Sequence, residues 1–197
     1  MLVVRAFILV LATASLKVGA DESKSPPPVQ PMFTGISEII IVVEDLEASM
    51  RRQWEEFGIG PWEVWTFDGN SSVKLRMRGE NSTAAFRVAY TKIGDIYWEL
   101  VQPLDQRSTY AEVLRTHGEG VHNIVFDVDD FDNTRRRMRA LGIAEWNSGE
   151  WGDVDFINFD TRKSLSVVAE IFRVAPEGSF PPPELIYPPQ LEASPPH

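Results

Sequence analysis

The chain contains no cysteine. That absence excludes a disulfide framework, a thiolate zinc site and a cysteine nucleophile. Histidine is scarce, with three in 197 residues. Basic residues are in deficit, 19 Lys and Arg against 29 Asp and Glu. Such a balance argues against nucleic acid or an anionic membrane surface as a partner. The acids are scattered rather than gathered in a tail, which reads as a soluble acidic surface. The sequence shows no nucleophile triad, phosphate-binding loop or dinucleotide fingerprint. What is present suffices for a packed core: 43% of residues are hydrophobic, and the length fits one domain or two small modules sharing a core.

The two ends differ in composition from the middle. MLVVR opens the chain with one positive charge, and AFILVLATAS follows as an apolar run too short to span a bilayer. KVGA then offers small residues before Asp21, so residues 1–20 are expected to be a cleaved signal peptide. The expected address is secreted or in the secretory lumen, or the periplasm in a bacterium, with no membrane span after cleavage. Residues 21–32 read as a proline-rich linker, and residues 176–197 as a proline-rich tail, either an extended strap or a disordered end. Two sequons, at Asn70 and Asn81, are candidate glycosylation sites that agree with export in a eukaryotic host.

Between the ends the chain repeats itself. EIIIVVEDLEASMRRQWEEFGI from Glu38 parallels NIVFDVDDFDNTRRRMRALGI from Asn123. Each has a β-branched strand, an acidic turn ending in Asp45 or Asp130, and a charged helix that stops at Gly58 or Gly142. YWELV around Glu99 and VAEIF around Glu170 form a second matching pair, each the last strand of its half. Extended segments such as EVWTFD, AAFRVAYTKI and DVDFINFD lie between. The pattern predicts β-α-β-β-β in each half, joined by a short helix in STYAEVLRTHGEG with Ser108 or Thr109 as N-cap and Gly118 past its end.

Strand parity then sorts the polar residues. Successive side chains point to opposite faces. Aligning the halves sets Asn123 against Glu38 on one face and turns His122 to the other. If the sheets curve around a cavity, Glu38, Glu99, Asn123 and Glu170 become four related inward groups. Three acids within apolar runs need a cation or hydrogen bonds to offset their desolvation.

These same residues carry a resemblance. IIIVVEDLEASMRRQWEEFGIGPWEVWTFD, IYWELVQPLDQRSTYAEVLRTHGEGVHNIVFDVDDFD and LSVVAEIF resemble the vicinal oxygen chelate superfamily, the glyoxalase/bleomycin-resistance/extradiol-dioxygenase group. The nearest branch is the glyoxalase-like and methylmalonyl-CoA-epimerase-like one. The resemblance spans roughly residues 33–175. It implies an α+β fold of two tandem βαβββ modules forming a U-shaped, cleft-enclosing mixed sheet. Module one would be 33–103, the connecting helix 104–120 and module two 121–175. It also implies one divalent metal in the cleft, held from the first and last strand of each module, and dimerisation by analogy. The expected His or Gln at Glu38 and His at Asn123 are absent, while the acids at Glu99 and Glu170 are retained.

Two readings of the site stay open from the residues. Glu38, Glu99 and Glu170, with Asn123 as a neutral donor, would bind Mg²⁺, Mn²⁺ or Ca²⁺ more readily than Zn²⁺. Alternatively no metal binds, and desolvation with like-charge repulsion raises the carboxyl pKa values until one serves as acid or base. A third, plainer reading is a dead site. His122 reads as a structural histidine. Trp65 and Phe67 are expected to line an apolar pocket wall or to pack in the core. Arg87 would bind an anionic substrate group or face water. The functional expectation is an exported isomerase, epimerase, cyclase or lyase. It would act by carboxylate-mediated proton transfer, metal-assisted or not, on a small oxygenated metabolite such as one of specialised metabolism. The alternative is a non-catalytic small-molecule binder with a degenerate metal site. Extradiol dioxygenation lacks its histidines.

Overall fold

The computed structural model describes residues 29–68, 73–178 and 180–189. The expected signal peptide, most of the linker, Asn70 and the last eight residues lie outside the described residues. No helix among the described residues is long and apolar enough to cross a membrane.

The chain forms β1 (Gly35–Val42), α1 (Leu46–Phe57), β2 (Trp62–Phe67), β3 (Lys74–Met77), β4 (Glu80–Ser82), β5 (Phe86–Ile93) and β6 (Ile96–Pro103). It continues through α2 (Thr109–His117), β7 (Gly120–Asp127), α3 (Phe131–Ala140), β8 (Glu145–Trp151), β9 (Val154–Phe159), α4 (Arg162–Leu165), β10 (Val168–Val174) and β11 (Leu185–Tyr187). Local chemistry sets the helix ends. Asp45 Oδ1 accepts from Ala48 N at 2.9 Å, and Asp130 Oδ1 from Asn133 N at 2.8 Å, satisfying donors that helix geometry leaves open. Gly58, in the left-handed region at φ 67°, ends α1. Ser108 caps α2 by accepting from Ala111 N at 3.1 Å.

All strands join one mixed, curled sheet in the order β11-β2-β5-β6-β1-β7-β10-β9-β8-β3-β4, an α+β half-barrel. The central pair β1–β7 is antiparallel, and β6 and β10 flank it in parallel. The registers repeat across this centre: Ile40 stands opposite Glu99, and Val125 opposite Glu170. The β3–β4 hairpin is an insertion that the pattern did not anticipate. It follows β2, near one end of the sheet, yet pairs with β8 near the other. Six residues lie between Phe67 and Lys74, and the seven Cα–Cα steps reach at most about 25 Å. The sheet must therefore curl until its two ends approach. The aromatic rings show that they do: Trp65 and Phe67 on β2 pack edge-on against Trp151 on β8, with centroids 5.6 and 5.0 Å apart. On β8, Gly149 leaves room for the ring of its cross-strand partner Phe156, which a Cβ there would meet at 2.5 Å.

Each strand divides its side chains between a concave and a convex face. Leu46 and Met50 of α1 pack on convex-face residues Trp62, Val64, Ala89 and Leu100. Phe131 and Met138 of α3 do the same on Ile157, Phe159 and Ile171. The concave face holds a third cluster, including Ile40, Val42, Trp65, Phe67, Val88, Val101 and Val125, with Tyr110 of α2 packed into it. The tail runs as a strap: β11 adds antiparallel to β2, and Glu184 N donates to Val64 O at 2.9 Å. That is the extended alternative for the segment up to Pro189.

Candidate functional site

The curled sheet encloses a cavity of about 300 Å³ on its concave face. Parity places Glu63, Trp65 and Phe67 of β2 and Phe86, Val88 and Tyr90 of β5 along one wall. Trp151, Val154, Phe156 and Phe172 line another. The strap closes one side with Phe180, Pro181, Pro182 and Pro183. Trp65 Nε1 donates to the carbonyls of Pro181 and Pro182, 3.0 Å each, so the indole ties the strap down.

Glu38, Glu99 and Glu170 all reach this cavity. Glu38 is 9% exposed and Glu99 5%. Glu38 Oε1 is buried with no hydrogen-bond partner. Burial pushes the Glu38 carboxyl up to about 7, opposed in part by its interaction with Glu99. Glu99 is held well above the usual carboxylate range, first by burial and then by the neighbouring Glu38 and Glu170 charges, with the Tyr90 hydroxyl pulling it back. Burial and the Glu38 charge raise Glu170 to about 8, against the amides of Asn158 and Asn123. Tyr90 and Tyr110 are likewise raised, by burial and then by the surrounding carboxylates.

Asn123 is fully buried. Its Nδ2 donates to Glu170 Oε2 at 2.6 Å, and its Oδ1 meets His122 Nδ1 at 2.6 Å. A carbonyl oxygen only accepts, so His122 Nδ1 carries the hydrogen and Nε2 the lone pair. The ring lies between Tyr110 and Trp146, stacked on the latter at 5.4 Å, and burial lowers its pKa to about 4. His122 does not line the cavity. Adjacent residues can bond side by side because the β1–β7 register shifts here: Ile40 pairs with Asn123, but Ile41 pairs with Val121.

Arg87 is not brought to the cavity. It alternates with the lining residues of β5, and its guanidinium pairs with Glu47 of α1. Asn81 is exposed on the edge strand β4. The sequence reading passed over Tyr90, Tyr110, Trp151, Phe156 and the strap residues. Parity alone could have found Tyr90, two residues from Val88 on one face. Nothing local marks the strap as a cavity wall.

The metal that the resemblance implies does not fit this donor set. Among the described residues no three His, Asp or Glu side chains converge to hold an ion. Asn123, at the missing histidine's position, has both amide atoms engaged. The arrangement instead offers neutral and ionised carboxyls side by side in an apolar enclosure, able to exchange protons near neutral pH.

Comparison with known proteins agrees with this architecture. No curated protein matches the chain. Methylmalonyl-CoA epimerase from Mycobacterium tuberculosis superposes with a TM-score of 0.55 at 18% identity, covering 76% of this chain and 94% of the epimerase. A Streptomyces coelicolor methylmalonyl-CoA epimerase variant in complex with 2-nitronate-propionyl-CoA gives 0.53 at 18%, covering 73% and 99%. A hypothetical protein from Bacillus halodurans gives 0.55 at 18%, covering 73% and 96%. At such identity the likeness shows the fold alone. The family model for the glyoxalase/bleomycin resistance protein/dioxygenase superfamily matches residues 38–156, more than half of the chain, and the chain belongs to that superfamily.

Proposed function

We propose that the chain is an enzyme of the isomerase or lyase type that moves a proton on a small oxygenated molecule. The observation that carries this reading is three carboxyls, Glu38, Glu99 and Glu170, gathered in one apolar cavity, where burial raises all three, Glu38 to about 7 and Glu170 to about 8. In an ionised form, Glu99 or Glu170 takes a proton from carbon beside a carbonyl. The C–H pair moves into the carbon–carbon bond as the carbonyl becomes an enolate. A second carboxyl, still protonated, donates a hydrogen bond to the developing oxyanion. A proton delivered by the second carboxyl to the opposite face of the same carbon inverts it, and one delivered to another carbon isomerises the molecule. The proposed setting is the secretory lumen, on the strength of the leader and sequons. It argues against a cytosolic thioester such as methylmalonyl-CoA as substrate.

The test is solvent-deuterium exchange into α-protons of small apolar ketones, read by mass spectrometry. Glu99→Gln and Glu170→Gln keep shape but lose the titrating oxygen. Each is expected to lower exchange by about 10²–10⁴-fold with little change in ligand affinity. Full exchange in both variants refutes the mechanism. One observation favours the second reading, a non-catalytic binder: the loss of the metal histidine at Asn123. Tight binding without exchange would establish it.

A further inference from the structure

The ionisable side chains facing the cavity are all acids. Glu38, Glu99 and Glu170 sit on its inner strands and Glu63 on β2, together with tyrosine hydroxyls. Among the described residues no lysine, arginine or histidine lines it. Lys92 sits outside the lining, over the ring of Tyr97 at 4.8 Å. The rest of the wall is aromatic or apolar. Trp65, Tyr90 and Trp151 set ring faces and edges around one space, with centroids 5.5 and 5.6 Å from Trp65. Aromatic walls attract cations through the negative potential of their faces. A buried carboxylate oxygen without a donor is costly, and a cation is the partner that removes the cost. Glu38 provides such an oxygen, 91% removed from solvent by its 9% exposure, and its residue lines the cavity. A carboxylate- or phosphate-bearing molecule would find no cationic side chain in this lining to pair with.

From this geometry we infer that the cavity takes a hydrophobic organic ammonium, an amine-bearing molecule whose cationic nitrogen sits against Glu38 and Glu99 within the aromatic wall. The inference deepens the proton-transfer reading, whose oxygenated substrate would then also carry a basic nitrogen. The size fits: at roughly 20 Å³ per non-hydrogen atom, about 300 Å³ holds a molecule of up to about fifteen such atoms. A metal ion would leave most of that apolar wall unfilled.

The probes are benzyltrimethylammonium, its neutral isostere neopentylbenzene, and phenylacetate. Binding to the full chain is followed by tryptophan fluorescence and calorimetry. The cation is expected to bind at least tenfold more tightly than the isostere, and phenylacetate not to bind. Glu38→Gln should weaken the cation fivefold or more and leave neopentylbenzene unchanged, which also shows that the variant is folded. Equal or better binding of neopentylbenzene, binding of phenylacetate, or undiminished cation affinity in folded Glu38→Gln would overturn the inference. No turnover is involved. Failure here leaves isotope exchange intact, and absent exchange with cation-selective binding would sink only the enzymatic reading.

Discussion

At the scale of single residues, the site turns on an asparagine held by a histidine. Asn123 cannot rotate freely: with Nδ2 on Glu170 and Oδ1 on His122, a flip would put donor against donor at His122. In the proposed mechanism His122 would position Glu170 through Asn123 without touching the cavity. Its neutrality is part of the device: burial lowers its pKa to about 4. Replacing His122 by Phe keeps the ring between Tyr110 and Trp146 but removes the Nδ1 hydrogen. The expected outcome is a fall in turnover of about tenfold, smaller than for Glu170→Gln, and a displaced limb of the pH–rate profile. A purely structural histidine would change stability and leave that limb where it was. Parity had put Asn123 on the same face as Glu38, and it does bond to Glu170. The bulge that lets His122 reach its neighbour could not be seen, because it depends on the register of a distant strand.

Among the elements, those that were legible have local signals. Caps at Asp45, Ser108 and Asp130 and the glycine after α1 are written in adjacent residues. The β3–β4 hairpin was not legible as an element, nor the strap as a cavity wall. KLRM and ENS are short and polar, and their partners, β8 and each other, are chosen by the curl of the sheet. The prolines of the strap forbid a central strand, yet leave three residues, Leu185–Tyr187, to pair at the edge of β2. That edge role gives the strap a testable purpose. A chain ended at Gly178 loses Phe180–Pro183 from the cavity wall and the two acceptors of Trp65 Nε1. Tryptophan emission should move to the red as Trp65 meets water, and affinity for an apolar cavity ligand should fall by about tenfold or more. Unchanged emission and affinity would mean that the strap is packing without consequence for the site.

For the whole molecule, buried titrating groups make stability a function of pH, and their signs differ. Unfolded glutamates titrate near 4.5, whereas Glu38 and Glu170 in the fold titrate at about 7 and 8, chiefly through burial. Between about pH 4.5 and 8 the folded state therefore holds protons that the unfolded chain has released. Stability contributed by these groups is complete below 4.5 and is lost as pH rises through 7 and 8. His122 runs the other way. Its pKa is depressed from 6.5 to about 4, so its contribution is complete above 6.5 and is lost as pH falls toward 4. The two trends oppose each other below 6.5, and above it only the carboxyl loss remains. Glu170→Gln isolates that loss, because glutamine is neutral at every pH and its Oε1 can still accept from Asn123. The variant's Tm should exceed the parent's at pH 8 by on the order of 5 °C, with the gap closing toward pH 5. A gap equal at both values would show that Glu170 is ionised throughout and held by a partner. Its place among uncompensated carboxyls, and with it the acid–base pairing, would then be lost.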